Sequence, residues 1–335
     1  MATFEKVAVT GGSGNLGSYV VGELTQSCRV TVLDLKPPRS SSVAYEEVDI
    51  LELARLSAVL REHDAVVHLG AINQPVPKPM EAFFRTNVVG TWNVLTAAES
   101  AGIQRCILCS SDAPLGGEIL WGEPALHYLP ADENHPLYTT TTYALTKEIT
   151  ETLGLHFARR ESMTVCCLRP ALIIFPHMFE AVVASVEMET AVYERGGRFD
   201  YRRDTPGHQP VGSTRSYVLP EDAARAFRLA LETENCDAFD SFFIAAADTF
   251  EPLPTKDYVR QRYGALPEIR KPSLYERNPR AGLLDISRAR ERLGWTPTGD
   301  WPSALRSADP ELAARFDKLC SSRGPRGSGK GLHRR

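Results

Sequence analysis

The sequence predicts an α/β fold: a doubly wound parallel sheet with a smaller, discontinuous C-terminal lobe. Three observations support this. Short β-branched runs alternate with helical patterns through the first half of the chain. A glycine-rich turn, TGGSGNLG, joins the first strand pattern to the first helix pattern. The fourth to sixth strand patterns (DAVVHLGA, RCILCSS and MTVCCLRP) are nearly continuous apolar runs, as expected where helices cover both faces of a sheet.

The elements follow in order. EKVAVT is the first strand, and NLGSYVVGELTQ has helical spacing of its apolar residues. RVTVLD is the second strand and VAYEEVDI a weaker third. LELARLSAVLRE repeats every 3.6 residues and precedes the fourth strand. MEAFFRTNVVGTWNVLTAAESAG reads as one long helix with a glycine stop, before the fifth strand. YALTKEITETLGLHFARRE is the next helix and leads to the sixth strand. Beyond Pro170 the alternation fades. PHMFEAVVASVEMETAVYERGG is helical, and RFDYRRDTPGHQPVGSTR is polar and rich in turn residues. PEDAARAFRLALE is a helix with proline at its start, and SFFIAAAD is a strand. TKDYVRQRYG and SRARERLGW are short helices. Residues 1–170 and 215–248 are therefore expected to form the sheet domain, and 171–214 and 249–320 the lobe. Residues 321–335, rich in Gly, Ser and Arg without core residues, are expected to form a disordered tail.

Composition narrows the function. The chain of 335 residues is 43% hydrophobic and 24% charged, enough to bury a sizeable core. Its net charge of −4 offers no broad attraction to nucleic acid. No apolar run approaches the ~18 residues of a membrane helix, and the N-terminus lacks the basic flank of a signal peptide, so a cytoplasmic location is expected. Cys106 and Cys109 form a C-x-x-C, but on a strand residues three apart face opposite ways. No second Cys or His pair has zinc spacing, so no metal is expected and the cysteines read as small core residues.

The chemistry begins at the glycine turn. Gly11, Gly14 and Gly17 are three apart between a strand and a helix. Glycine permits close backbone approach, and the following helix N-terminus offers free N–H groups to a pyrophosphate. This is the arrangement of a dinucleotide-binding Rossmann domain. Asp34 closes the second strand, where a carboxylate accepts hydrogen bonds from both adenosine ribose hydroxyls and repels the extra phosphate of NADP, so NAD is the expected cofactor.

YTTTTYALTK, residues 138–147, supplies an acid/base candidate. Tyr143 and Lys147 are four apart on a helix and share a face. An ammonium beside a phenol favours phenolate, so Lys147 is expected to lower the Tyr143 pKa. Such a tyrosine takes a proton from a substrate hydroxyl as hydride leaves the same carbon. Ser110 and Ser111 follow the fifth strand, at the sheet edge where ligands bind in open α/β sheets.

These residues, in this order, resemble an extended short-chain dehydrogenase/reductase of the NAD-dependent epimerase/dehydratase family. The resemblance covers roughly residues 4–300. It rests on TGGSGNLG, Asp34, VDI at 48–50, HLGA at 68–71, TNVVGTWNVL at 86–95, SSDAPLG at 110–116, YALTK at 143–147, LRP at 168–170, RSYVLPEDAARA at 215–226 and LLDISRARERLGW at 283–295. It implies that Ser111, Tyr143 and Lys147 are catalytic. It implies that Asn15 and Leu16 meet the pyrophosphate, that Asp49 and Ile50 lie near the adenine, and that Leu69, Gly70, Ala71 and Thr86 line the cofactor. Asp112 and Arg215 are implied on the substrate side, Arg215 where an arginine often meets a diphosphate.

Some positions depart from the family pattern. Leu115 replaces a usual tyrosine, and Ala113 stands where sugar-nucleotide dehydratases carry a glutamate, which argues against 4,6-dehydration. LRPALIIFP lacks the usual asparagine and glycine after the sixth strand, and RAGL replaces an Arg-x-Gly-Asp. The implied activity is a sugar or nucleotide-sugar epimerase working by transient oxidation. A sugar or uronate-type dehydrogenase is the alternative, and a non-catalytic NAD sensor is a third. The resemblance also implies a homodimer built from helices at 80–101 and 139–161.

Overall fold

The structure, a computed structural model, describes residues 4–73, 79–116, 126–195 and 214–323. Seven strands form one parallel sheet: β1 (Lys6–Thr10), β2 (Arg29–Asp34), β3 (Ala44–Glu47), β4 (Ala65–His68), β5 (Arg105–Cys109), β7 (Thr164–Pro170) and β10 (Phe239–Ile244). Their order is β3-β2-β1-β4-β5-β7-β10. The chain winds outward from β1 to β3, then restarts at β4 on the other side of β1. That reversal between β1 and β4 is the topological switch point, where open α/β sheets place their ligand crevice.

Both faces of the sheet are buried, which explains the continuous apolar runs. Val7 and Val9 of β1 face one core and Ala8 the other. Ile107 of β5 joins the first core while Cys106 and Leu108 join the second. The first face is covered by α1 (Asn15–Leu24), through Val20, Val21 and Leu24, and by Pro220–Glu232, through Ala223, Phe227 and Ala230. The second is covered by α2 (Leu53–Leu60), the helical run Met80–Ser100 and α5 (Thr142–Ala158). The run from Met80 is a single helical path: α3 (Met80–Phe84), a π-helical turn (Arg85–Val89) and α4 (Gly90–Ser100). The Cys106 and Cys109 side chains go to opposite faces of β5.

A separate core gathers distant segments: Phe179, Val182 and Val186 of α6 (Phe179–Glu194) pack with Phe250, Trp301, Leu305 and Phe316. Trp301 meets Phe179 and Phe316 edge-on, with ring centroids 5.1 and 6.0 Å apart. Trp301–Ala308 and Pro310–Arg323 are helices that the sequence reading did not anticipate. The second of them carries regular structure to Arg323, three residues into the expected tail; residues 324–335 lie outside the described residues. The polar run expected at 196–213 also lies outside them.

Three further differences concern the sheet domain and lobe. The two-residue strands β8 (Leu172–Ile173) and β9 (Tyr217–Val218) pair with each other, so residues 215–218 do not join the main sheet. β6 (Tyr128–Leu129) likewise pairs with β11 (Glu268–Ile269). Tyr258, Tyr275, Leu283, Leu293 and Trp295, expected in the lobe, pack into the first core of the main sheet. Among the described residues no helix is long and apolar enough to cross a membrane.

Candidate active site

The glycine turn lies at the switch point. Gly11 has a φ of +71° and stands so close to the end of β4 that a Cβ would lie 2.7 Å from the Gly70 nitrogen. A Cβ on Gly17 would lie 2.3 Å from the Gly11 carbonyl oxygen. Only glycine at both positions lets the turn fold flat against α1 and β4. Helix α1 starts at Asn15 behind Gly14, with no side-chain cap and no acidic residue in its first turn. The leading N–H groups of Asn15 and Leu16 and the positive end of the helix dipole suit a pyrophosphate.

Asp34 closes β2 beside this turn. Its carboxylate accepts hydrogen bonds from the Ser13 N–H at 3.0 Å and the Leu35 N–H at 2.7 Å, one on each oxygen. Each oxygen keeps a lone pair for a ribose hydroxyl, and the two anchors fix the direction in which it is offered. Asp49 caps its own turn, accepting from the Leu51 N–H at 2.9 Å. Ile50 is buried, and its side chain fills the space beside Gly70 and Gly90. Leu69 and Gly70 continue from β4, Leu69 donating its N–H to the Thr10 carbonyl, and Ala71 beyond them is exposed. Thr86 lies in the π turn, half-buried. The π turn also presents Asn87, whose amide clasps the Ile72 backbone, accepting its N–H at 2.7 Å and donating to its carbonyl at 2.9 Å.

The acid/base candidates meet across β5 and α5. Thr141 caps α5, accepting from the Ala144 N–H at 3.2 Å, so the helix begins at Thr142 and Tyr143 stands in its first turn. Lys147 is buried one turn on, and its Nζ donates to the Cys109 carbonyl at the end of β5 at 2.7 Å. That Nζ lies 5.7 Å from the centre of the Tyr143 ring. Ser111, two residues beyond Cys109, stands near enough to the Tyr143 side chain for its hydroxyl to act on the phenol. It also accepts from the Ala113 N–H at 3.1 Å and donates to Asp112 at 3.4 Å. Asp112 accepts from Thr214 at 3.1 Å. Tyr138, the other tyrosine of the stretch, is exposed and pairs only its backbone N–H with the Pro114 carbonyl.

One expectation is overturned. Tyr143 is not held below the ordinary tyrosine pKa: burial first, then the Cys109 thiol, raises it, against a lowering by the Ser111 hydrogen bond. Lys147 gives one of its N–H donors to the Cys109 carbonyl, and burial lowers its own pKa. Arg215, expected on the substrate side, is fully buried with a φ of +54°. Its guanidinium pairs with Glu189, lies 3.8 Å from Glu251 and donates to Ser185 at 3.2 Å. These carboxylates come from segments remote in sequence and hold the guanidinium in the interior, while the adjacent Thr214 reaches Asp112.

The sequence reading missed the supports of the site. Ser110 points the other way from Ser111 and donates to Glu151 at 2.5 Å. Glu151 takes both arms of Arg169 at 2.8 and 2.6 Å. It stands four residues after Lys147 and eight after Tyr143, a spacing that shares their helix face and was visible in the sequence. A second chain of hydrogen bonds joins the cofactor crevice to α4. The Gly70 N–H reaches Thr10 Oγ1, which lies 2.6 Å from His68 Nδ1, and His68 Nε2 lies 3.0 Å from Thr91 Oγ1. Thr91 gives its proton to the Asn87 carbonyl at 2.5 Å, so it accepts from His68, and His68 carries its proton on Nε2. Burial and the neighbouring Lys147 push its pKa down to about 3, so the ring is neutral. Asn87 then donates to Thr146 at 3.0 Å, on the catalytic helix.

Known proteins supply the family. The sequence pattern of the NAD dependent epimerase/dehydratase family matches residues 7–245. A UDP-glucose 4-epimerase of Mus musculus is 33% identical over 156 residues, 39% of this chain and 42% of that enzyme. The matched part thus spans less than half the length of that relative. A UDP-glucose 4-epimerase of Rhizobium leguminosarum bv. trifolii is 26% identical over 333 residues, 91% of this chain and 96% of that one. A short-chain dehydrogenase/reductase superfamily protein from Agrobacterium tumefaciens, solved with bound NAD, shares the fold with a TM-score of 0.65 at 20% identity, covering 95% of this chain and 99% of that chain. The match over 7–245, together with the parallel sheet and glycine turn, settles the assignment: this chain belongs to the NAD dependent epimerase/dehydratase family, extended short-chain dehydrogenase/reductases whose cofactor is NAD.

Proposed function

We propose that the protein is a nucleotide-sugar epimerase that oxidises a secondary alcohol of its substrate transiently and returns the hydrogen to the other face. The observation that supports this most is the meeting of Ser111, Tyr143 and Lys147 at the end of β5, with the Lys147 Nζ 5.7 Å from the Tyr143 ring and the Ser111 hydroxyl acting on the phenol. Gly11, Gly14, Asn15, Leu16 and Gly17 would hold the pyrophosphate of NAD. Asp34 would hold the adenosine ribose, Asp49 and Ile50 the adenine side, and Leu69, Gly70, Ala71 and Thr86 the length of the cofactor. When bound, NAD would supply the hydride acceptor and donor for the substrate carbon.

The chain's own residues handle the proton and the geometry. Ser111 and Tyr143 hold the substrate oxygen between them. In the forward half Tyr143 removes the hydroxyl proton as phenolate. In the return half its phenol gives the proton back to the ketone oxygen. Burial in the unliganded chain keeps Tyr143 protonated, so the phenolate must arise in the loaded site. Asp112, next to Ser111 and tied to Thr214, would face the substrate.

A homodimer fits the exposed apolar face of the same helices. Phe84, Val89, Trp92 and Leu145 lie exposed on Met80–Ser100 and α5, with Trp92 set against His156 and Phe157. Exchanging Tyr143 for Phe tests the catalytic assignment on a panel of nucleotide sugars. Turnover is expected to fall at least ~100-fold with NAD binding retained; an unchanged rate contradicts the assigned role.

A further inference from the structure

Cys166 and Cys236 meet in the amino-terminal half of the sheet, at the end remote from the glycine turn. Their sulfurs lie 2.8 Å apart although 70 residues separate them in sequence. Cys166 is fully buried on β7. Cys236 is half-buried in the loop that enters β10, flanked by the exposed Glu234, Asn235 and Asp237. Two cations frame the pair. Arg105 Nη1 reaches Cys166 Sγ at 4.0 Å. Arg292 fixes the loop, donating to the Asn235 carbonyl at 2.8 Å and pairing with Asp237 and Asp240 at 3.2 and 3.0 Å.

We propose that Cys166 and Cys236 are a modification site, a dithiol that closes to an intrachain disulfide on meeting a two-electron oxidant of the peroxide class. The separation of the sulfurs leaves less than ~1 Å of movement to a bond of ~2.05 Å. The roles of the two thiols follow from their surroundings. Of the seven cysteines only Cys236 has its thiol shifted down, through the hydrogen bond from Cys166 and then the charges of Arg105 and Arg292, against burial and Asp240. The other six are shifted up, five of them chiefly by burial and Cys166 first by its hydrogen bond to Cys236. Cys236, the half-exposed member of the pair, is the attacking sulfur, and the buried Cys166 is the one that closes on it.

In the first step the Cys236 thiolate attacks one oxygen of hydrogen peroxide. The O–O bond breaks, the departing hydroxide takes a proton to become water, and Cys236 is left as a sulfenic acid. In the second, Cys166 attacks that sulfur. The S–S bond forms, the S–O bond breaks, and the hydroxyl leaves as water with the Cys166 proton. The two sulfurs lose two electrons and the peroxide gains them, giving one disulfide and two waters. A thiol reductant reverses the closure.

Treating the full-length protein with hydrogen peroxide and measuring intact mass and digest fragments tests this. The expected result is loss of two hydrogens, a fragment linking Cys166 to Cys236, and a raised melting midpoint that dithiothreitol reverses. Cys236→Ser, an exchange in a half-exposed loop, should abolish all three. Addition of oxygen at Cys236 without the linked fragment overturns the proposal, and so does a two-hydrogen loss that persists in Cys236→Ser. The linked fragment is read in the unaltered chain, so a poorly folding variant does not remove the test.

Discussion

His68 and Tyr143 show how tertiary burial decides chemistry that the local sequence leaves open. HLGA identified a segment lining the cofactor, but not that its histidine links β1 to α4 through Thr10 and Thr91. Because the folded ring titrates at about 3 and an unfolded one at 6.5, the unfolded chain binds one more proton between those values. Stability from this group is therefore complete above pH 6.5 and lost as pH falls toward 3. By pH 5 the loss is about 2 kcal/mol. His68→Gln, which keeps a donor and an acceptor but does not titrate, should show a smaller drop in urea midpoint between pH 7 and pH 5. An identical drop would remove His68 from the account. Tyr143 and Arg215 teach the same lesson. Lysine at i+4 was legible, yet the upward pKa of the tyrosine depends on burial beside Cys109. The neighbours of Arg215 in sequence do not reveal Glu189 and Glu251, which draw it inward.

Among the elements, the central strands of the sheet were legible because both their faces are buried and their apolar runs are unbroken, whereas the edge strand β3, AYEE, has no buried residue and read weakly. The two-residue strands β8 and β9 are too short to show any period, and Trp301–Ala308 and Pro310–Arg323 hide theirs among proline and charge. Helix α5 combines legible and hidden parts. Its Tyr and Lys were readable from spacing, while the pair that locks it to β7, Glu151 with Arg169, needed the fold. Both side chains are under a tenth exposed. Glu151→Ala leaves the guanidinium buried without its carboxylate and should destabilise the protein by about 3–5 kcal/mol in urea unfolding. Replacing Arg169 as well, in Glu151→Met with Arg169→Met, should recover part of that loss. A cost below about 1 kcal/mol for the single exchange would mean that the pair does not hold α5 to the sheet.

Across the whole molecule, family and cofactor were readable from the ordered set of motifs, because a glycine turn, a strand-end aspartate and a helical Tyr/Lys pair occur in one order along the chain. Substrate choice was not legible in the same motifs. The proposed dimer uses the exposed face of Met80–Ser100 and α5. Trp92→Glu with Leu145→Glu should convert the expected dimer to monomer in sedimentation without loss of helical signal; an unaltered dimer would place the interface elsewhere. The fate of the hydride tests transient oxidation most directly. With the NAD-loaded protein and UDP-glucose, product NMR and NADH absorbance should be followed together. The account predicts an epimerised UDP-sugar and no stoichiometric NADH; an oxidised sugar product with one NADH per turnover would contradict it.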